Sequence, residues 1–220
     1  MNILILMDMP LFPYRIYAYN ELSNRGYDLT VISVSDEDTR YDLPLKFEHI
    51  RLEKKAIGGF VKLEHFSQIE PNKYDVIVVD PNLRMLDYYQ FYRNKYWDKL
   101  IGWGHHKGCT TGNKLAEKFR FAFFKKFKAL VFYDYQTRDE YLEHGFEPKQ
   151  SYVANNTQYV NLSMVDLKAN RDSFIYVGRI QERKAVGLAL EAFALTKLAT
   201  KNNYLKFKVV GGGDSSQLKE

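Results

Sequence analysis

The chain has little of what marks the more easily recognised classes of protein. One of its 220 residues is cysteine, Cys109, which excludes an internal disulfide framework and fits a reducing compartment. The start runs directly into an apolar stretch, Ile3-Leu4-Ile5-Leu6, without the basic flank and cleavage site of a secretory leader. No apolar run approaches the roughly 20 residues that cross a bilayer. The loop over 8–15 holds no glycine, so the G-x-G-x-x-G fingerprint is absent and NAD or FAD is not expected. No Cys/His/carboxylate cluster has ligand spacing, so no metal and no other resident cofactor is expected. No RNA- or DNA-binding motif, internal repeat or low-complexity segment is present, and nucleic acid is not an expected partner. These absences leave a cytoplasmic globular protein, with contact at a membrane surface still open.

What is present supports that class. Hydrophobic residues make up 45% and charged residues 27%, an ordinary globular balance. Aromatics are abundant, with 17 Tyr and 15 Phe. The formal net charge of +5 favours an anionic partner: phosphate groups, acidic lipid or nucleic acid. It does not choose among them.

Two hydrophobic periods alternate along the chain. Strands are predicted over 3–7, 28–34, 45–52, 74–80, 99–103, 129–133 and 151–154. Helices are predicted over 14–25, 61–69, 83–96, 114–127 and 137–144. The run Tyr74-Asp75-Val76-Ile77-Val78-Val79-Asp80 is apolar without alternation, as in a strand buried on both faces. Strand–helix alternation of this kind predicts a parallel sheet covered by helices, an α/β Rossmann-like domain over 1–157. Residues 158–172 are polar and aperiodic and read as a linker. A second unit, 173–220, follows as strand, helix, strand. Two strands and one helix cannot bury both faces of a parallel sheet, so this second Rossmann-like domain is expected to be incomplete, either a fragment or a natural truncation.

The second unit carries the strongest motif. Phe174-Ile175-Tyr176-Val177-Gly178-Arg179 is a strand ending in Gly-Arg, with Arg183-Lys184 one loop later and a helix from Leu188. A strand, a basic loop and a helix N-terminus place cationic groups and free N–H donors where a diphosphate can sit. The plain alternative is a surface loop that happens to be basic. The order Gly178-Arg179, Lys184, Glu191-Ala192-Phe193 and Val209-Val210-Gly211-Gly212-Gly213 resembles the donor-side signature of GT-B glycosyltransferases. It is most similar to the retaining group called family 4. The pattern departs at Ala185, where the family usually has Gly, and at Gly187. The Glu-x7-Glu motif that the family carries further along does not occur within the 220 residues.

The resemblance implies a GT-B fold and transfer of a sugar from a nucleotide-sugar donor to a cell-surface glycan or lipid-linked acceptor, with retention and without a required metal. It assigns Arg179 and Lys184 to the donor diphosphate. Gly212 and Gly213 would let backbone N–H groups approach the donor. In the first domain, Trp103-Gly104-His105-His106 ends a strand where some bacterial relatives have Trp-Gly-His-Gly. One imidazole, His105 or His106, would therefore contact the transferred sugar, a solvent-exposed or structural pair being the alternative. Arg15, beside Tyr14 at a helix start, would bind an acceptor phosphate or else sit on the helix surface. The basic, aromatic helix from Lys114 packs its Phe side chains inward, or lies on anionic lipid. The rival readings are a truncated, inactive remnant or binding module, and within the fold a phosphorylase or epimerase, since fold does not fix chemistry.

Overall fold

The computed structural model describes residues 1–35, 41, 43–104, 114–156, 173–201 and 204–213. The chain divides into two compact units, Met1–Val160 and Asn161–Glu220.

Seven strands of the first unit form one sheet: β1 (Asn2–Leu6), β2 (Asp28–Val34), β3 (Glu48–Leu52), β6 (Val76–Val79), β7 (Leu100–Gly104), β8 (Ala129–Phe132) and β9 (Ser151–Val153). The hairpin strands β4 (Lys54–Ile57) and β5 (Phe60–Leu63) intervene in sequence but lie outside this sheet. The sheet order is β3-β2-β1-β6-β7-β8-β9 and every pairing is parallel. Ile3 pairs with Leu29 on one side and with Val76 on the other. The chain thus starts at the centre, runs out through β2 and β3, and returns beside β1 as β6. The junction between β1 and β6 is a topological switch point, where connections leave in opposite directions and open a crevice at the strand C-termini.

Period-two alternation splits the apolar side chains between the two faces of this sheet. Leu4, Leu6, Ile32, Ile77 and Val79 join one buried cluster with Tyr88, Phe91, Phe124 and Phe132. Ile3, Ile5, Leu29 and Val31 join the other with Leu11, Ile16 and Tyr19. The second cluster is closed by α1 (Pro13–Asn24), the first by α2 (Tyr88–Arg93), α3 (Lys114–Phe124) and α4 (Tyr135–Glu143). The helix boundaries follow local chemistry. Pro13 opens α1, and Asp134 caps α4 by accepting the Thr137 N–H at 2.6 Å. Much of the aromatic content packs edge to face, as Tyr92 does on Phe123 with ring centroids 4.1 Å apart.

The helix predicted over 61–69 does not form. Lys54–Ile57 and Phe60–Leu63 pair antiparallel across Gly58-Gly59, and a 3-10 turn (Phe66–Gln68) follows. Gly58 has φ 58°, the left-handed conformation that a two-residue hairpin turn needs and glycine supplies. The helix predicted over 83–96 shortens to α2 because its first residues serve the hairpin. Met85 bridges to Val61, and the buried Asp87 carboxylate accepts the Leu63 N–H at 2.6 Å. The third strand begins at Glu48 rather than at 45, and α3 ends at Phe124 rather than at 127.

In the second unit, β10 (Ser173–Val177) and β11 (Lys206–Val210) pair parallel across α5 (Val186–Thr200). Phe193 fastens the helix to both strands, its ring 5.8 Å from Phe174 and 5.4 Å from Phe207. Phe174, Ile175, Val177, Leu188, Leu195 and Val210 are all exposed, the one-sided packing expected of two strands and one helix.

Candidate functional site

Two groups of residues sit at strand C-termini, one in each unit. In the first unit, β1 leads through Met7 into Asp8, and β6 leads into Asp80, so the switch point is flanked by two carboxylates. Asn82 donates its amide to the Asp8 carboxylate at 2.5 Å. Lys54 reaches over from β4 to donate to the Asp8 carbonyl at 2.9 Å. The Asp80 carboxyl lies within electrostatic reach of Asp8 and of Arg15. Burial pushes this carboxyl up to about 7; the like charge of Asp8 adds to the rise, and Arg15 opposes it. Desolvation at a strand end is thus partly offset by a neighbouring cation.

That cation comes from the first turn of α1, where a positive charge opposes the helix dipole and needs other support. The Arg15 guanidinium lies over the Trp103 ring at 4.4 Å and donates from Nη2 to the Tyr133 hydroxyl. Trp103 belongs to β7 and Tyr133 follows β8, so one arginine ties together α1 and the ends of two strands. It is 8% exposed. Among the described residues its Nε has no partner, and neither does the buried hydroxyl of Tyr88 nor the indole N–H of Trp103. Tyr14, assigned with Arg15 to the acceptor, is half-buried and stacks on Phe12 with centroids 5.6 Å apart. Arg15 is therefore held by an aromatic bracket instead of standing on the helix surface.

Gly104 ends β7 just before the paired histidines. A Cβ there would lie 2.9 Å from Pro81 Cδ and 3.5 Å from Asp80 Oδ1, so glycine is required by the close passage of the β6 end. His105 and His106 themselves lie outside the described residues.

In the second unit, Arg179, Ile180, Gln181, Gly212 and Gly213 line one open recess. Two backbone bonds join its walls: Gly178 N–H to Val210 O and Ile180 N–H to Gly212 O, both 2.9 Å. The glycines divide the work unevenly. A Cβ on Gly211 would fall 1.9 Å from Gly178 O, and one on Gly213 would fall 2.3 Å from Ile180 O, so both are needed for the loops to meet. A Cβ on Gly212 would meet nothing within 4 Å. The sequence pattern groups the glycines by their run, and only the tertiary approach of Gly178 and Ile180 separates Gly211 from Gly212. Arg179 is exposed and its side chain makes no hydrogen bond or ion pair among the described residues, while its carbonyl accepts the Tyr176 hydroxyl at 2.8 Å. Lys184 is also exposed, on the 3-10 turn Glu182–Lys184 just before α5, and does not line the recess.

Ala185, which departs from the family pattern, caps α5 in the left-handed conformation, φ 48° and ψ 41°. An L-residue there costs about 1 kcal/mol that glycine avoids. Ala185→Gly is expected to raise the stability of the second unit by a few tenths of a kcal/mol to about 1, the gain being reduced by the greater freedom of unfolded glycine. Urea unfolding of the two proteins side by side checks the sign.

No protein-family profile matches the chain, and no curated protein matches its sequence. Solved structures do match in three dimensions, 37 chains in all. One is S. aureus TarM (a point mutant in complex with fondaparinux, alpha-GlcNAc-glycerol and UDP), with TM-score 0.60 and 9% identity over 99% of this chain and 74% of that one. Another is Anabaena HepE in complex with UDP and glucose, with TM-score 0.58 and 11% identity over 98% of this chain and 62% of that one. A third is Arabidopsis thaliana UGT89C1 complexed with quercetin, with TM-score 0.52 and 12% identity over 96% of this chain and 73% of that one. This chain thus spans between 62% and 74% of their lengths. The likeness defines the class by fold: this is a chain of the GT-B architecture. The parallel sheet of the first unit is the Rossmann-like domain read from the sequence.

Proposed function

We propose that the chain is a nucleotide-sugar-dependent glycosyltransferase, family 4-like and retaining, whose acceptor is a cell-surface glycan precursor or a lipid-linked sugar. The observation that carries this is the second-unit recess. Arg179 projects, without a side-chain partner among the described residues, from a loop that backbone bonds and two sterically required glycines fix against the Gly-rich loop. A guanidinium held in this way matches a diphosphate in charge and in bidentate geometry. Three structural neighbours are described with UDP or with a glycoside or flavonoid ligand, which supports this reading. Lys184 would add a point charge, Gly212 would offer the donor an unobstructed backbone, and His105 or His106 would touch the sugar. The diphosphate is the leaving group, and fixed cations stabilise the charge that develops on it. No metal enters this scheme. Isothermal titration of the full chain with UDP, GDP and ADP tests it: one of them is expected to bind in the micromolar range, and binding by none would end the reading.

The reading places the enzyme in the cytoplasm against anionic lipid. On α3, Leu115 is 77% and Phe119 57% exposed, one helical turn apart, with Lys118 exposed beside them and Lys125 and Lys126 exposed just past the helix end. Phe123 and Phe124 are buried, so the helix divides its aromatics between the core and the surface. Co-sedimentation with phosphatidylglycerol vesicles is expected, with loss at high salt and with Phe119→Ser. Equal binding to uncharged vesicles would exclude it.

A further inference from the structure

The hairpin of β4 and β5 sorts its side chains by face. Its register pairs Lys54 with Leu63, Lys55 with Lys62, Ala56 with Val61 and Ile57 with Phe60. Side chains alternate along a strand, so Lys55, Ile57, Phe60 and Lys62 share one face, while Ala56, Val61 and Leu63 share the other. The second face is the packed one: Leu63 is fully buried in the core and Val61 packs against it. The first face looks outward. Ile57 is 46% and Phe60 45% exposed, directly opposite each other across the Gly58-Gly59 turn, and both lysines are exposed. Lysines set directly opposite repel, a pairing that costs stability unless an anion lies against them. Neither makes a hydrogen bond or an ion pair among the described residues. Arg84 adds a third cation at the turn, where its Nε donates to the Gly59 carbonyl at 2.6 Å.

The order along this face matches the layers of a bilayer surface. The apolar pair is outermost. The lysine pair lies two residues back, about 7 Å at a strand's rise per residue. Glu53 and Glu64 follow at the base, both exposed, where the Glu64 N–H donates to the Glu53 carbonyl at 2.9 Å. An interfacial segment sinks its apolar groups about 5–10 Å into the boundary between headgroups and acyl chains. Ile57 and Phe60 at that depth bring Lys55 and Lys62 level with the phosphates, which attract them. The two glutamates stay above that layer, and repulsion from it limits the depth. A protein partner would need acids at this one spacing, whereas an anionic leaflet offers them at every point. We propose that the hairpin is a membrane-docking element: Ile57 and Phe60 enter an anionic leaflet, and Lys55, Lys62 and Arg84 bind its phosphates. This contact rests on the reading above that the first unit lies against anionic lipid, and it is separate from the one on α3. The base of the hairpin is tied to the switch point, since Lys54 bonds the Asp8 carbonyl at 2.9 Å. Ile57 lies three residues further, about 10 Å along the strand. Docking at the tip therefore holds the crevice of the same unit close to the leaflet.

The test is co-sedimentation of the full chain with phosphatidylglycerol and with phosphatidylcholine vesicles, joined to the fluorescence of Phe60→Trp. Wild type is expected to bind the first and not the second. Lys55→Gln with Lys62→Gln is expected to weaken that binding about thirtyfold, the effect of two cations near an anionic surface. Ile57→Ser with Phe60→Ser is expected to weaken it at least about tenfold. All four side chains are exposed, so circular dichroism and the urea midpoint should match wild type in both. On vesicles, Phe60→Trp is expected to emit further to the blue than wild type, and lipids brominated on their acyl chains should quench the added emission. Binding that Phe119→Ser abolishes but both hairpin variants retain, with Phe60→Trp unquenched, would overturn the proposal and leave the α3 contact standing. A wild type that sediments with neither kind of vesicle removes both. Dimers in sedimentation velocity that Ile57→Ser with Phe60→Ser dissociates, without vesicle binding, would make this face an interface between copies and overturn the lipid assignment.

Discussion

Arg179→Ala is expected to weaken nucleoside diphosphate binding by about a hundredfold, near 2.7 kcal/mol, in the same calorimetric titration that detects binding to the wild type. The figure follows from what the side chain is free to do. It forms no hydrogen bond or ion pair among the described residues, so its truncation removes no visible contact of the fold. Its backbone is fixed on both sides, by Gly178 on Val210 and by Ile180 on Gly212, and by Tyr176 on its own carbonyl. The backbone is already ordered, so binding has only the side chain's own rotamers to fix, and a charge-assisted, two-oxygen contact offsets that cost. Lys184→Ala should cost less, about tenfold, because an ammonium is a point charge on a flexible stem. Unfolding midpoints should be unchanged in both. If Arg179→Ala binds as wild type does, the recess is not the diphosphate site.

How far such an argument can be made from sequence depends on which interactions are local. The strand over 28–34 is readable to the residue because its apolar run and its flanking Gly26 are contiguous. Gly178-Arg179 and the Gly-rich run are readable as a pattern, but the separate duties of Gly211 and Gly212 are not, since they depend on the Gly178 carbonyl, far off in the chain. The hairpin at Lys54–Leu63 leaves a trace in the sequence, because Gly58-Gly59 between two short alternating runs is a hairpin signal. The helical reading of 61–69 overrides that signal, and the structure corrects it. Asp87, which looks like an ordinary helix-surface acid, is buried because its carboxylate serves the Leu63 N–H of that hairpin. Asp80 stands in plain view at the end of Val76-Ile77-Val78-Val79. An acid at the C-terminus of a strand buried on both faces carries little meaning until the strand order puts it beside Asp8 at the switch point. The exposed apolar residues of the second unit are foreseeable from the count of its strands alone.

Arg15→Ala is expected to destabilise the first unit by about 3 kcal/mol at mildly alkaline pH and by distinctly less at about pH 5, measured by urea unfolding followed by circular dichroism. Above neutrality three losses combine: the desolvated cation–π contact on Trp103, about 1–2 kcal/mol; the charged hydrogen bond to Tyr133, of similar size; and the field that helps to hold the half-buried Asp80 ionised. The pH dependence has a definite sign. The Asp80 carboxyl, ordinarily near 3.8, is raised to about 7 in the folded protein, so between these values the folded chain keeps a proton that the unfolded chain has released. Stability from this group is thus fully present below its ordinary value of 3.8, declines as pH rises toward 7, and stays low above that. Removing Arg15 takes away the cation opposing the rise, so the decline should run on to higher pH. Arg15→Lys should restore part of the charge effect but not the stacking, because an ammonium lacks the flat face that lies on Trp103. A loss in Arg15→Ala that is equal on the acid and alkaline sides would mean that Arg15 acts on the aromatic bracket alone and leaves Asp80 untouched.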